Sequence, residues 1–456
     1  MLKEKLHIHF IGIGGVGMSG IAFILLDLGH KISGSDLKSS KITDKLKKKG
    51  VICYQGHHED HVNGVDLVVI SSAIPETNPE IQISRRKKIK ILKRAEMLAE
   101  IMKHKTGIAI AGTHGKTTTT SMIGFLLEQT DFDPTVIIGG EGNNFHSNAK
   151  YGLGKYVVAE ADESDGTFLN LYPKIAVITN IEDDHLEYYK NMDNILRDFE
   201  RFVERIDSSG KAILCIDCLN NQKLYKNHDI NAMTYGLSSK ADFQAGDIYF
   251  NRFNTKCIVY YHGRKMGDLS LKSSGYHNVL NALASIAVGC ELGIKYEQIS
   301  QVLNNFRGVK RRMEIISENK DDIMILDDYA HHPTEVKVTL SALKNSWKNR
   351  RVIVVFQPHR FSRTKLLARK FGNAFMEADR IIINDIYSAN ENPIAGISGE
   401  TIFNEVKKSE HHNVEYIPYK DDILPRLEKI VKSGDIVITM GAGDIWTIGQ
   451  ELAKKI

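Results

Sequence analysis

The feature that most constrains this chain is a short apolar run that ends in a glycine turn and continues as a helix. The run covers residues 107–111, the turn reads Gly112-Thr113-His114-Gly115, and a helical pattern begins after Lys116-Thr117. A strand, turn and helix in this order direct backbone N–H groups and the positive end of the helix dipole at one point, where an anion can bind. The pattern therefore predicts an α/β fold with a phosphate site at this turn.

The turn has the chemistry of a P-loop, although its spacing differs. Ile110 stands where the first glycine of G-x-x-x-x-G-K-T belongs, so a plain pattern search would miss the motif. In the P-loop interpretation, the Lys116 ammonium reaches the β- and γ-phosphates and the Thr117 hydroxyl contacts Mg²⁺. The alternative is a tight βα turn with a lysine that has no function. The joint placement of glycines, Lys and Thr at the junction favours the nucleotide site.

Length and composition restrict the class of protein further. A chain of 456 residues is too long for one hydrophobic core and predicts two to four domains, with three as the natural number. The apolar fraction of 42% is typical of a soluble globular protein, and a net charge of +4 gives no basic footprint for nucleic acid. We expect no membrane insertion, because no apolar run is long enough. The five scattered cysteines favour a reducing compartment, so we expect a cytoplasmic location.

A second glycine turn lies near the N-terminus. Gly12-Ile13-Gly14-Gly15-Val16-Gly17 follows a predicted strand, and Ser35-Asp36 ends the next strand. This is G-x-G-x-x-G with an acidic residue about twenty positions on, which is the dinucleotide fingerprint. The backbone of such a turn requires only a phosphate-bearing ligand at the helix N-terminus, so NAD(H) and a nucleotide sugar both fit. A strand at 67–70 ends at Ser71 and should face the same crevice, and we expect this domain to close near Lys105.

Charged side chains follow two further apolar strands. Glu160 follows residues 156–159 and opens an E-A-D-E-S-D motif, and His185 lies in the segment after residues 175–179. Ligands of an open parallel sheet sit beyond the carboxyl ends of its strands, so these side chains should converge on the phosphates. Glu160 and His185 could then bind a hard metal such as Mg²⁺. A helix-terminal charge and a surface histidine are the alternatives, which their shared placement disfavours.

The remainder of the chain predicts an appendage and a third α/β unit. Residues 240–271 alternate apolar and polar, as in an antiparallel appendage. Asn278 and Asn281 lie on nearly one side of the following helix, where amides could contact an adenine edge, although such residues are usually caps. Further on, strands at 323–326 and 352–356 are each followed by arginines or histidines. Because Arg binds carboxylates through two hydrogen bonds, these strand ends predict an anion site, for example for an amino acid.

Together these motifs resemble the Mur ligase family over essentially the whole chain. Their order is the N-terminal glycine turn, G-T-H-G-K-T-T-T, E-A-D-E-S-D, T-N-I-x-x-D-H, H-N-x-x-N-A, R-R-x-E, D-D-Y-A-H-H-P-T-E and Q-P-H-R-x-S-R-T. The resemblance implies an N-terminal Rossmann-like UDP-sugar-binding domain at 1–105. It also implies a central P-loop ATPase-like parallel sheet with a small antiparallel appendage at 106–312, and a C-terminal Rossmann-like α/β domain that binds the amino acid at 313–456.

The resemblance also implies an activity and its substrates. It implies an ATP-dependent ligase that joins L-alanine to the lactyl carboxylate of UDP-N-acetylmuramate through an acyl phosphate, in peptidoglycan synthesis. The expected partners are those two molecules and ATP, the expected cofactor is one or two Mg²⁺ ions, and the expected state is a monomer or homodimer. One alternative within the family attaches a whole tripeptide to the same UDP-sugar. A more remote alternative is an NAD-dependent oxidoreductase, which would leave Lys116 and the later strand ends unexplained.

Carried onto matching positions, the resemblance implies roles for individual residues. The catalytic residues are Lys116, His185, Arg312 and Asp328. ATP is bound by Gly112, Thr113, His114, Gly115, Lys116, Thr117, Thr118, Asn278, Asn281, Arg312 and Asp328, and the metal by Thr117, Glu160 and His185. The UDP-sugar is bound by Gly12, Gly14, Gly15, Val16, Gly17, Ser35, Asp36, Ser71 and Arg94. The amino acid is bound by Tyr329, His331, His359, Arg360 and Arg363. Where several family members carry a carbamoylated lysine, residues 197–201 read R-D-F-E-R, which leaves open how a second Mg²⁺ is held.

Overall fold

The computed structural model describes residues 2, 4–71, 73–145, 147–164, 166–227, 230–409, 411 and 413–456, so Asp165 of the E-A-D-E-S-D motif lies outside the described residues. Two compact units form. The first comprises Met1–Gly246, Ile258–Leu269 and Leu280–Arg307, and the second Asp247–Cys257, Ser270–Val279 and Gly308–Ile456. Three sheets flanked by helices confirm the predicted α/β class. All five cysteines are free thiols. Among the described helices, none has the length and apolar character needed to cross a membrane.

The first sheet carries the N-terminal glycine turn. Its elements are β1 His7–Ile11, α1 Val16–Asp27, β2 Lys31–Asp36, α2 Lys41–Lys48, β3 Ile52–Gln55, β4 Leu67–Ile70, α3 Pro79–Arg86, β5 Lys90–Lys93 and α4 Arg94–Met102. The five strands are parallel in the order β3-β2-β1-β4-β5. The order reverses beside β1, and such switch points are where open α/β sheets bind ligands. The turn after β1 therefore lies at the expected position of a ligand site.

The central sheet carries the second glycine turn. Its elements are β6 Thr106–Ala111, α5 Lys116–Glu128, β7 Thr135–Gly142, β8 Ser147–Lys150, β9 Tyr156–Glu160, β10 Ile175–Ile178, α6 Leu186–Tyr189, α7 Met192–Val203, β11 Lys211–Cys215, α8 Leu219–Asn227, β12 Ala232–Gly236, β13 Phe243–Asn251, β14 Asn254–Tyr261, β15 Arg264–Leu271, α9 Tyr276–Glu291 and α10 Tyr296–Leu303. The strand order is β15-β14-β13-β12-β11-β10-β6-β9-β7-β8. Since β6 pairs in parallel with both β9 and β10, the residues that follow those strands flank the turn after β6.

One apolar cluster packs the first sheet and the central sheet within the first unit. Phe10 and Ile21 contribute from β1 and α1, Ala109 from β6 and Phe199 from α7, and each is fully buried. The strands β4, β6 and β10 are apolar and buried over almost their whole length, as expected for parallel strands covered on both faces, and β1 is buried after its first residue. This shared core fixes the ends of β1 and β6 within one unit.

The third sheet belongs to the second unit. Its elements are β16 Glu314–Glu318, β17 Met324–Asp328, α11 Pro333–Ser346, β18 Val352–Phe356, α12 Phe361–Gly372, β19 Arg380–Ile383, α13 Gly399–Lys408, β20 Val414–Tyr416, α14 Ile423–Ile430, β21 Ile436–Met440 and α15 Trp446–Lys455. The order is β16-β17-β21-β18-β19-β20. The last strand, β21, lies between β17 and β18 and is parallel to both, whereas β16 is an antiparallel edge strand.

Candidate active site

The turn between β6 and α5 requires glycine at two positions. Gly112 has φ of +124° and Gly115 has φ of +83°, which are conformations that residues with a Cβ rarely adopt. A Cβ on Gly112 would lie 2.2 Å from the Thr179 hydroxyl oxygen, and a Cβ on Gly115 would lie 2.7 Å from the side-chain oxygen of Asn281. The backbone therefore approaches its neighbours more closely than any side chain would allow.

Residues after β10 hold this turn in place. The Thr113 backbone N–H donates to the Asn180 carbonyl at 2.9 Å, and the His114 N–H donates to the Asn180 side-chain oxygen at 2.8 Å. The Thr179 hydroxyl donates to the His114 carbonyl at 2.6 Å, and the Glu182 N–H donates to the Thr113 hydroxyl at 2.8 Å. The T-N-I motif thus anchors the glycine turn, a role that the sequence analysis did not assign to Thr179 or Asn180. Thr118 is buried within α5.

Lys116 lies at the first position of α5 and folds back over the turn. Its Nζ donates to the Gly112 carbonyl at 2.7 Å, to the Thr113 carbonyl at 3.2 Å and to the Glu163 carboxylate at 2.9 Å. Burial alone would lower the pKa of Lys116, but the carboxylates of Glu163, Glu160 and Asp162 raise it, so the ammonium stays charged. Burial raises the pKa of the Glu163 carboxyl. The structure places the Lys116 charge where a phosphate at the turn would meet it.

Two predicted metal ligands lie side by side next to Lys116. The Thr117 hydroxyl donates to Oε2 of Glu160 at 3.0 Å, and the Gly139 backbone N–H donates to the same oxygen at 2.8 Å. Glu160 is the last residue of β9, the strand beside β6. A hydroxyl and a carboxylate at this spacing fit a hard cation such as Mg²⁺, which binds one or two protein oxygens together with phosphate and water oxygens.

His185, the third predicted metal ligand, lies just before α6. Its φ of +54° is left-handed. Its Nε2 lies 3.6 Å from the Asp184 carboxylate and its Nδ1 lies 3.6 Å from that of Glu187. Both distances exceed hydrogen-bond length, so these carboxylates act on the imidazole as nearby charges.

The structure brings the N-terminal glycine turn and the end of β2 together. The N–H groups of Gly12 and Ile13 donate to the Ser35 carbonyl at 2.8 and 3.0 Å, and the Gly14 N–H donates to the Asp36 carboxylate at 2.9 Å. A Cβ on Gly12, whose φ is +84°, would lie 3.3 Å from Cβ of Ser71. Gly15 caps α1, and Val16 is its first residue. The predicted UDP-sugar residues on β1, β2 and β4 are therefore neighbours.

Arg94 connects the N-terminal turn to the motif after β9. Its guanidinium lies over Gly17, where an added Cβ would be 3.2 Å from Nη1. Nη2 donates to the Asp162 carboxylate at 3.0 Å. Asp162 directly precedes Glu163, the partner of Lys116. Two carboxylates that are adjacent in sequence thus link Arg94, beside the N-terminal turn, to Lys116 at the phosphate turn.

A buried carboxylate that the sequence analysis missed supports the end of β2. Glu80 accepts hydrogen bonds from the Ser35 hydroxyl at 2.6 Å and from Nδ1 of His61 at 2.6 Å, and it lies 3.1 Å from Nδ1 of His57. Burial opposes its charge, but contacts with His9, Ser35 and His61 outweigh burial and lower the pKa of Glu80 to about 2. The only sequence signal was Asn-Pro before Glu80, which marks a helix start and not a buried anion.

In the second unit, Asp328 and Arg312 lie around Tyr329. The Asp328 carboxylate accepts from the N–H groups of Met313 and Ala330, both at 2.8 Å, and burial raises the pKa of Asp328 to about 6. The Arg312 guanidinium lies 5.3 Å from the Tyr329 ring centroid and 3.6 Å from the Glu335 carboxylate. The predicted strand ended at residue 326, whereas β17 continues through Asp328, because the strand-end carboxylates are buried and hydrogen bonded.

Arg311 has a different environment from Arg312. Its Nε donates to the Asp327 carboxylate at 2.8 Å, and its Nη atoms donate to the carbonyls of Gly441 at 2.7 Å and Gly443 at 3.2 Å. All of these contacts are structural, since they join the start of the unit to the turn after β21. Both guanidinium groups lie over the Tyr329 ring, that of Arg311 at 5.0 Å from the ring centroid. Arg312 also lies near the Glu335 carboxylate.

Four of the predicted amino-acid-binding residues form one aromatic and basic cluster. The rings of Tyr329 and His331 lie 5.3 Å apart, and those of His331 and His359 lie 5.8 Å apart. Nη1 of Arg363 lies 3.1 Å from Nδ1 of His359. The His359 ring also stacks on Tyr387, which the sequence analysis missed because Tyr387 lies in an irregular segment after β19.

The remaining predicted residues lie at the start of α12 and in the first two turns of α9. Arg360 caps the start of α12 with φ of +70°, and its N–H donates to the Tyr387 carbonyl at 2.9 Å. In the first unit, the Asn281 side-chain oxygen accepts from the Thr119 hydroxyl at 3.1 Å, next to Gly115 of the phosphate turn. In the second unit, Nδ2 of Asn278 donates to the Ser274 carbonyl at 2.8 Å, which is a local contact at the start of α9.

Comparison with known protein families gives three matches along the chain. The model of the Mur ligase family, catalytic domain, matches residues 7–106. The Mur ligase middle domain matches residues 110–289, and the Mur ligase, glutamate ligase domain, matches residues 311–443.

Individual proteins are similar over almost the whole length. The UDP-N-acetylmuramate–L-alanine ligase of Geotalea uraniireducens (strain Rf4) is 48% identical over 449 residues, which cover 98% of each chain. That of Pelotomaculum thermopropionicum is 47% identical and covers 100% of this chain and 98% of the relative. A solved UDP-N-acetylmuramate-alanine ligase of Thermotoga maritima has a TM-score of 0.84 at 31% identity and covers 99% of each chain. A murein peptide ligase of Psychrobacter arcticus 273-4 has a TM-score of 0.72 at 26% identity and covers 98% of each chain.

Proposed function

The chain belongs to the Mur ligase family, and on that premise we propose that it joins L-alanine to UDP-N-acetylmuramate while ATP is converted to ADP and phosphate. The relatives that are 47 to 48% identical over nearly the full length are named as UDP-N-acetylmuramate–L-alanine ligases. The tripeptide-attaching alternative has weaker support, since the murein peptide ligase is 26% identical.

The observation that carries the proposal is the pair of cations held by adjacent carboxylates. Arg94, which lies over Gly17 of the N-terminal turn, binds Asp162, and Lys116 at the phosphate turn binds Glu163. A ligase must bring an acceptor carboxylate to the γ-phosphate of ATP, so its two anion sites have to be close. An oxidoreductase that used the N-terminal turn for NAD(H) would have no need of the second site.

The reaction follows from the weak reactivity of a carboxylate as an acyl donor. The lactyl carboxylate oxygen attacks the γ-phosphorus, a new P–O bond forms, the bond to the β-phosphate oxygen breaks, and ADP leaves. The amine of L-alanine then attacks the acyl carbon, and the tetrahedral intermediate expels phosphate as the amide forms. Lys116 compensates charge on the transferring phosphoryl group, and the backbone N–H groups of the turn hold the other phosphates.

Mg²⁺ fits this chemistry and the residues that we assign to it. We assign Thr117, Glu160 and His185 as its ligands, of which Thr117 and Glu160 already lie within hydrogen-bond distance of each other. Mg²⁺ bound there supplies positive charge that neutralises phosphate oxygens. Glu160 and Thr117 orient each other, which keeps both oxygens directed at the phosphate turn.

In this proposal, the second unit binds L-alanine. We assign Arg312 and Asp328 of this unit to ATP, and we assign Asn278 and Asn281, the latter a residue of the first unit, to its adenine. The aromatic and basic cluster binds L-alanine through Tyr329, His331, His359 and Arg363, together with Arg360 at the start of α12. Two arginines and two histidines suit an amino-acid carboxylate, because guanidinium and imidazole N–H groups donate charge-assisted hydrogen bonds to it.

Several expectations remain predictions under this proposal. They are the functional domains at 1–105, 106–312 and 313–456, the UDP-sugar contacts of the first domain, the cytoplasmic location and the monomeric or homodimeric state.

Phosphate release in the presence of ATP and UDP-N-acetylmuramate tests the function. We expect release with L-alanine and little release with other amino acids or with L-Ala-D-Glu-meso-diaminopimelate. Turnover with the tripeptide alone would instead assign the tripeptide-attaching activity. NADH formation without ATP would contradict the ligase assignment.

A further inference from the structure

Glu163 is a buried carboxylate to which the proposed mechanism gives no task. Its side chain is 4% exposed, and that of Lys116 is 13% exposed. The Glu163 carbonyl accepts hydrogen bonds from the Tyr189 hydroxyl and from the Gly166 backbone N–H, so its backbone is held on two sides. Its carboxylate is therefore directed at Lys116 by the fold and not by a flexible surface loop.

The hydrogen bonds of Lys116 leave one position that a phosphate can take. An ammonium group has three donors. Two of them bond to the carbonyls of Gly112 and Thr113 inside the turn, and the third bonds to Glu163. The carbonyl bonds keep the amine over the turn, so a phosphate oxygen that contacts Lys116 replaces Glu163 and not a backbone carbonyl.

We propose that Glu163 is a positioning residue that competes with nucleotide phosphates for Lys116 and so limits nucleotide affinity. This inference rests on the proposed phosphate role of Lys116. The competition favours release of ADP during turnover. ADP brings less negative charge to Lys116 than ATP does, so Glu163 displaces ADP more readily and promotes product release.

The carboxylate is well placed for this exchange because it cannot move far from Lys116. Asp162, the preceding residue, is tied to Arg94 at 3.0 Å, and its other carboxylate oxygen accepts from the Ser164 N–H at 3.1 Å. With its neighbours fixed on both sides, Glu163 stays near the turn when a phosphate arrives. The repulsion between two anions then lowers affinity in a way that an exposed, mobile carboxylate would not.

Titration of ADP into the full-length protein by calorimetry tests the proposal. Glu163→Gln keeps the shape and removes the charge, and we expect its ADP dissociation constant to fall about tenfold. Glu163→Asp retracts the carboxylate by one methylene, and we expect a fall of about threefold. Asp207→Asn is the matched control, because Asp207 is an exposed carboxylate of the same unit that pairs with Lys174, and it should leave ADP binding unchanged.

Tighter ADP binding in the Glu163 variants supports the competition, because structural damage weakens binding. Unchanged or weaker ADP binding in either Glu163 variant overturns it, and so does equal tightening by Asp207→Asn, which would reflect net charge alone. Glu163→Asp keeps the test decisive if Glu163→Gln does not fold. The titration needs neither UDP-sugar nor L-alanine. A failure of the ligase assay would therefore contradict the proposed function without deciding the role of Glu163.

Discussion

Replacing Gly112 by alanine should damage the phosphate turn more than the same change at a glycine with free space around it. Gly112 has φ of +124°, and its added Cβ would lie 2.2 Å from the Thr179 hydroxyl oxygen and 2.8 Å from the Asn180 carbonyl oxygen. Alanine in a left-handed conformation costs about 1 to 2 kcal/mol. Overpacking adds about 1 to 3 kcal/mol. The Thr179 hydroxyl must also give up its bond to the His114 carbonyl, at about 1 kcal/mol.

Gly50→Ala provides the control for this prediction. Gly50 has φ of +89°, but nothing lies within 4 Å of an added Cβ, so only the backbone cost applies. In urea unfolding of the full chain, we expect Gly112→Ala to lose about 2 to 4 kcal/mol more than Gly50→Ala. If the turn relaxes instead, the loss of stability is smaller and KM for ATP rises. Equal stability and equal KM in the two variants would refute the close-approach argument.

Three further predictions concern single side chains. Lys116→Ala should reduce phosphate release by at least about 100-fold with an unchanged circular dichroism spectrum, because it removes the charge at the transferring phosphoryl group; unchanged turnover would exclude that role. Burial raises the pKa of Asp328 to about 6, so the folded state binds its proton more tightly than the unfolded state does, and stability falls as pH rises from about 4 to 6. In urea titrations, the free energy of unfolding of the wild type should fall by about 2 to 3 kcal/mol over this pH range. Asp328→Asn should not show this fall, and parallel pH profiles of the two proteins would contradict the prediction. Arg94→Lys should raise KM for the UDP-sugar several-fold and leave KM for ATP nearly unchanged, since Lys cannot form the paired hydrogen bonds of a guanidinium; equal changes in both KM values would argue against a UDP-sugar contact.

The strands and both glycine turns could be predicted because their signals are local. β4 and β18 have the bounds expected from their apolar runs, and the positive φ values at Gly12, Gly112 and Gly115 agree with turns that need glycine. Local signals do not identify which distant residue a side chain will contact. Nothing near Lys116 in sequence indicates that Glu163, 47 positions later, would accept its hydrogen bond.

The rest could not be predicted because it depends on which strands become neighbours. Asn180 holds the phosphate turn only because β10 pairs with β6, and Glu80 supports Ser35 only because the start of α3 approaches the end of β2. The basic cluster of the second unit was expected from strand ends, but its stacking partner Tyr387 comes from an irregular segment with no periodic signal. Sequence reasoning thus found the residues that carry charge more readily than the residues that orient them.

The central position of β21 has a consequence for the synthesis of the protein. β17 and β18 are both paired with β21, which ends at Met440 of a chain of 456 residues. A ribosome-bound chain therefore has a gap in the middle of this sheet until Met440 has left the exit tunnel, whereas the first unit, which ends at Arg307, can fold earlier. Truncation before Ile436 should leave two buried strands with open edges, which are prone to aggregate.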